Sequence, residues 1–195
     1  MKALNKFIVR LPKKFNDTVK VGDTEIYVDT KHDEFRHRVM GGEVVALPRK
    51  YDTPVKEGDT LYFHHHVVVQ GGKPVPGLKD CYMVMYDPEI AMNSQAFAYK
   101  CKDTGNIAPL SSWCLLEPVE EDLGLKSDLI EIVDYSKPNP TQGKIAYACN
   151  SCEELGVKVG DVVGIGRNRD YRIKIDDKEY YRTRAEDFLY VVVEE

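Results

Sequence analysis

No stretch of some 18 consecutive apolar residues, the length a helix needs to cross a bilayer, occurs in the 195-residue chain. Basic charge is scarce as well: 27 Lys and Arg stand against 32 Asp and Glu, for a formal net charge of -5. Such a chain lacks the basic stripe that displaces counterions from phosphates, so neither nucleic acid nor a membrane is expected as a partner. Helical periodicity is nearly missing, and only residues 151–155 read as a single helical turn. Nothing at the start resembles a secretory leader, because residues 1–12 alternate apolar with polar or charged side chains. The five cysteines, Cys81, Cys101, Cys114, Cys149 and Cys152, are odd in number, which fits free thiols in a reducing, cytoplasmic compartment better than a disulfide framework.

Catalytic signatures are lacking too. Ser111 and Ser112 sit in no nucleophile elbow, and Gly164-Ile-Gly166 is too short for a phosphate loop and has no helix after it. Glu120, Glu121 and Asp122 read as a solvated loop. The chain is therefore expected to be no enzyme, with no catalytic residues and no cofactor.

What is present is a composition of 43% hydrophobic and 30% charged residues, suited to a folded globular protein. Short runs rich in β-branched and aromatic residues recur at 6–11, 24–28, 43–47, 60–63, 81–86, 113–116, 144–147, 161–165, 171–175 and 188–193. Gly, Pro, Asn or Asp bounds each of them. The pattern predicts an all-β protein of small barrels.

The order of these runs repeats. Gly42-Glu-Val-Val-Ala corresponds to Gly143-Lys-Ile-Ala-Tyr, and Val55-Lys-Glu-Gly-Asp59 to Val157-Lys-Val-Gly-Asp161. Upstream, the block starting at Phe7 parallels the one starting at Trp113; downstream, Asp87-Pro-Glu-Ile90 parallels Ala185-Glu-Asp-Phe188. Four blocks in one order point to two modules, 1–105 and 106–195, the first with an insertion near 67–80. Lys-x-Gly-Asp is a β-turn in which Gly supplies a positive φ and Asp caps. A third copy, Val19-Lys-Val-Gly-Asp23, lies outside the repeat.

The ordered set Asn106-Ile-Ala-Pro-Leu110, Trp113 to Leu116, Gln142-Gly-Lys-Ile145, Val157-Lys-Val-Gly-Asp161, Lys174 to Tyr180 and Glu186 to Val192 resembles a complete GroES-type (chaperonin-10) co-chaperonin module. The first half resembles that family more loosely. The resemblance implies two tandem GroES-like β-barrels that pack into a homo-oligomeric ring, and a GroEL-type chaperonin ring as partner. It also implies one long loop per module, at about 13–40 and 120–142, carrying a hydrophobic triplet that docks on the chaperonin. Here the triplets would be Ile130, Ile132 and Val133 in the second loop and Ile26, Tyr27 and Val28 in the first, unless they are ordinary strands buried in their own barrels. The connections at 48–54 and 149–156 are short, leaving little material for a roof, so the chain is similar to divergent members encoded by some bacteriophages.

Three further readings stay open. A duplicated barrel of this kind also suits a structural or assembly protein, such as a viral particle component. Cys149-Asn-Ser-Cys152 has the spacing of a redox pair or half a zinc site; the thiols available to complete it, Cys101 and Cys114, are separated by 12 residues and form no second Cys-x-x-Cys, so no metal is assigned. His64-His-His66 reads as an exposed strand end on which only His64 and His66 share a face.

Overall fold

The computed structural model describes residues 3–30, 37–69, 73–122 and 136–193. The chain is all-β and divides into two compact units, Met1–Ser111 and Ser112–Glu195. In the first lie β1 (Lys6–Arg10), β2 (Thr18–Val21), β3 (Thr24–Tyr27), β4 (Gly41–Ala46), β5 (Thr60–Phe63), β6 (Lys73–Pro74), β7 (Cys81–Met85), β8 (Ala96–Lys100) and β9 (Ile107–Pro109). The second holds β10 (Trp113–Asp122), β11 (Ser136–Tyr147), β12 (Val162–Ile165), β13 (Tyr171–Ile175), β14 (Lys178–Arg184) and β15 (Phe188–Val192). No helix among the described residues is long and apolar enough to cross a membrane.

Each unit is built on one antiparallel sheet. The first runs β6-β7-β1-β4-β5-β8-β9 and the second β13-β14-β10-β11-β12-β15, so strand for strand the two orders coincide except for β9. The β2–β3 pair stands apart as its own two-stranded sheet. Period-2 alternation sends Phe7, Val9, Leu11, Val44, Leu61 and Phe63 into the first core and Cys114, Leu116, Ile145, Val163 and Ile165 into the second.

Ladder registers correct the sequence alignment by one residue. Val9 pairs with Val44 and Leu116 with Ile145, so Phe7 corresponds to Cys114, not to Trp113. The slip matters because one residue exchanges the inner and outer faces of a strand. Trp113 instead stacks on the Arg182 guanidinium, which Tyr171 covers from another ring, at 4.1 and 4.3 Å from the two ring centres. Burial pulls Arg182 down to about 10.

Other expectations shift for similar reasons. Registers match Tyr86 to Ala185 and Ala96 to Phe188, which leaves Asp87–Ile90 in a longer connection peculiar to the first unit. There Asp87 accepts the backbone N–H groups of Glu89 and Ile90, each at 3.0 Å, a local Asx-type turn. The division falls at 111/112 instead of 105/106, because Ile107–Pro109 pairs with β8 in the first sheet. The region around 67–80 carries a helical turn, His66–Val69, and the edge strand β6, at the place β13 takes in the second sheet.

Two sequence motifs have direct structural causes. Gly58 and Gly160 take φ +92° and +97°, and the following Asp accepts from the Lys backbone N–H three residues back: Asp59 from Lys56 at 2.7 Å and Asp161 from Lys158 at 3.0 Å. Buried Asp59 also accepts the Lys102 N–H at 2.9 Å. Gly42 and Gly143 serve close approach: a Cβ on Gly42 would stand 2.8 Å from Leu11 Cδ2, and one on Gly143 would stand 2.7 Å from Leu116 Cβ.

Gly143→Ala is therefore expected to lower stability by about 1–3 kcal/mol, the usual cost of overpacking. Urea unfolding measures it, and an unchanged midpoint would mean that the strands are not held at this distance.

Candidate functional site

The connection between β1 and β4 leaves the sheet as an arm. Its stem is antiparallel: the Val39 N–H donates to the Lys14 carbonyl at 2.9 Å and the Asn16 N–H to the His37 carbonyl at 2.6 Å. Phe15 bridges Arg38 between them, and farther out the Val28 N–H donates to the Asp17 carbonyl at 2.7 Å. Beyond the stem, β2 and β3 form a hairpin closed by Gly22-Asp23, with Gly22 at φ +61° as a two-residue hairpin turn requires. This is the third Lys-x-Gly-Asp sequence, used as a hairpin turn instead of a capped loop.

The hairpin is apolar where it meets solvent. Val19 pairs with Ile26 and Val21 with Thr24, so Val19, Val21 and Ile26 share a face. Ile26 is 47% exposed and Tyr27, on the other face, 71%. Val28 is half-buried at the stem. Of the first predicted triplet, then, two members are exposed on an arm and none lies in the barrel core. A two-stranded ribbon with no sheet behind it has little stability of its own.

The second connection leaves its sheet at the corresponding place, between β10 and β11. These strands extend farther than expected, through the pairs Glu120↔Pro138, Glu121↔Lys137 and Asp122↔Ser136, so the acidic residues taken for a loop continue a strand. The second predicted triplet, Ile130, Ile132 and Val133, lies outside the described residues.

A second apolar surface is the edge strand β15, where Leu189, Tyr190, Val191, Val192 and the following Val193 are exposed. In the first sheet the corresponding strand, β8, has its outer edge covered by β9. Sequence reading marked β15 as a strand without indicating that it ends the sheet.

Three cysteines converge inside the second unit. Cys114 on β10 lies 3.4 Å from both Cys149 and Cys152, sulfur to sulfur, and those two are 3.9 Å apart. The Cys114 thiol donates to Cys149, which holds Cys149 down at about 6. That hydrogen bond, followed by burial, pushes Cys114 up, and burial raises Cys152. The Cys-x-x-Cys spacing was legible and Cys114 was one of two further candidates; folding brings it, 35 residues away along the chain, onto the pair. Cys101, also considered for this role, is not part of the group.

His64, His65 and His66 do not end a strand. They form a turn into His66–Val69 whose three rings stack, with centres 4.1 to 4.6 Å apart. His64 Nδ1 accepts the His66 backbone N–H at 3.3 Å, and one ring nitrogen from each of the three lies within 4.8 Å of the others.

No family model matches the chain. Among curated proteins it is similar to Co-chaperonin GroES of Kosmotoga olearia, 27% identical over 88 residues that make up 98% of that protein and 45% of this chain. To Co-chaperonin GroES of Coprothermobacter proteolyticus it is 33% identical over 93 residues, 94% of that protein and 44% of this chain. For the protein of that name from Campylobacter concisus the identity is 33% over 87 residues, 98% of that protein and 45% of this chain. Each match takes nearly a whole relative and less than half of this chain.

Because Ile26 and Tyr27 contribute nothing to either core, the double variant Ile26→Ser/Tyr27→Ser should melt within about 2 °C of the parent, as surface substitutions do. A loss of 5 °C or more in calorimetry, equivalent to roughly 1 kcal/mol, would show that the arm packs on the sheet.

Proposed function

Because the chain belongs to the GroES co-chaperonin family, we propose that it is a co-chaperonin that docks on a GroEL-type chaperonin ring and closes it over a folding substrate. The observation that carries this reading is the exposed apolar hairpin at the end of the β1–β4 connection. A soluble protein gains nothing from displaying Val19, Val21, Ile26 and Tyr27 on an unsupported arm unless another surface covers them. Ile26, Tyr27 and Val28 are the contact on the first unit, and Ile130, Ile132 and Val133 the contact on the second. An arm of this kind loses conformational entropy when it docks, so each contact is weak and reversible. Several arms on one assembly raise the avidity without any new contact.

The arms need a scaffold that presents several at once, and β15 supplies the means. An edge strand with exposed apolar side chains is a template for another strand. In the first sheet this edge is completed by Ile107–Pro109. On the second sheet it is completed by a strand of another copy, which makes the protein a homo-oligomer. A pair of modules per chain gives an even number of modules, whereas a chaperonin of sevenfold symmetry asks for an odd one. One module per chain in the ring reconciles the two.

Two measurements test this. Light scattering should give a mass of several chains, reduced toward one chain by Leu189→Lys/Val193→Lys; a monomeric parent would remove the ring. Surface-immobilised chaperonin with nucleotide should bind the parent, while Ile26→Ser/Tyr27→Ser should weaken binding at least tenfold, since the two side chains lose about 1.5–3 kcal/mol of burial between them. Substituting Ile130, Ile132 and Val133 by Ser should weaken it likewise. Unchanged affinity in both variants would contradict the assignment of the arms, and an oligomer that never binds chaperonin would favour a structural or assembly role.

A further inference from the structure

The two sheets differ most in one corner of their cores. Counting from the shared glycine, Pro48 and Tyr51 of the first unit correspond to Cys149 and Cys152 of the second; by ladder register Phe7 corresponds to Cys114 and Tyr86 to Ala185. The first unit fills this corner with rings, Phe7 against Tyr86 at 5.0 Å and Tyr86 against Tyr51 at 6.0 Å. The second puts two thiols and a methyl group there, and adds a third thiol. Interiors are packed to uniform density, so a corner that exchanges three aromatic rings for two thiols and a methyl group, with a third thiol converging on them in place of a proline, is built around something else.

We propose that Cys114, Cys149 and Cys152 bind one zinc ion as a structural site of the second unit. Soft thiolates select thiophilic ions such as Zn²⁺ over oxygen-seeking ones. The geometry narrows the choice further. The circle through the three sulfurs has a radius of about 2.1 Å from their separations, so an ion at the zinc–thiolate distance of about 2.3 Å stands about 1 Å out of their plane. That is the pyramidal placement of a tetrahedral ion and not the in-plane placement of a trigonal one. The fourth vertex falls to a small donor such as water.

The surroundings suit a charged centre in an apolar core. Three thiolates around Zn²⁺ leave one net negative charge, and backbone N–H groups are already aimed at it. The Cys152 N–H donates to the Cys149 carbonyl at 3.1 Å, and the backbone N–H groups of Ser151 and Cys152 favour a thiolate at Cys149, as that of Cys149 does at Cys114 and Cys152. Donors of this kind orient metal ligands and offset their charge. Opposite Cys114 in the β10–β14 ladder stands Thr183, buried, with a hydroxyl that has no hydrogen-bond partner among the described residues. The three sulfurs join β10, the end of β11 and the turn Ser151–Glu154, the same elements that set the exit of the second connection.

The test uses the full chain, purified under reducing conditions. Elemental analysis should find one zinc per chain. Replacing it with Co²⁺ should give the visible bands of tetrahedral cobalt together with sulfur-to-cobalt charge-transfer bands, and a chelator that strips the metal should lower the melting temperature. Cys114→Val, which keeps the core apolar, should abolish both metal and bands, whereas Cys81→Ser and Cys101→Ser should keep them. The proposal is overturned if the reduced chain neither carries zinc nor takes up Zn²⁺ or Co²⁺ against a weak chelator. It is equally overturned if Cys114→Val binds as the parent does, or if the unfolded, unreduced chain shows three free thiols instead of five, since two of the sulfurs would then be a disulfide. Should Cys114→Val fail to fold, metal content and the cobalt spectrum of the parent decide the matter alone.

Discussion

One close approach organises each half of this protein. Where the second strand of the sheet carries Gly42 or Gly143, the first strand comes near enough that a methyl group would collide with Leu11 or Leu116. That contact sets which residues of the first strand face inward, and so builds the two cores around Val9 and Val44 in one unit and Leu116 and Ile145 in the other. It also decides where the chain leaves the sheet. In the first unit the long connection begins just beyond this point, and it carries Val19, Val21, Ile26 and Tyr27, which the core does not take in.

Much of this was legible in the sequence, and the limits have physical causes. Strands rich in Val, Ile and Tyr announced themselves. Lys178–Arg184 did not, because its charged residues hide the alternation that buries Tyr180, Tyr181 and Thr183, and Ala96–Lys100 is weak in β-branched residues. The repeat was visible from Gly42 and Gly143, yet the upstream block was placed one residue off, since an apolar run does not report which of its residues pairs with the neighbouring strand; the irregularity at Ile8/Val9 recurs at Leu115/Leu116. Asn106–Leu110 reads as the opening of a second module, but its strand pairs backward with β8 in the first sheet.

The functional residues divide in the same way. Ile26-Tyr27-Val28 was identifiable as an apolar triplet, but a triplet between turns looks the same whether it is buried or displayed; only the stem from Lys14 to Val39 shows that it is carried away from the sheet. Cys149 and Cys152 had a recognisable spacing, while Cys114 joins them only through folding. The first arm is apolar and paired only with itself beyond its stem, which suits the proposed docking, and a rigid core at its root would let the energy of docking be used in docking.

Amide hydrogen exchange on the free chain and on the chain mixed with a chaperonin ring and nucleotide tests the central claim, that the arm is the docking element. The account predicts fast exchange at Thr18–Tyr27 in the free protein and strong protection there in the mixture, with β1, β4 and β5 unchanged. Protection confined to the sheets, or none anywhere in the mixture, would contradict it.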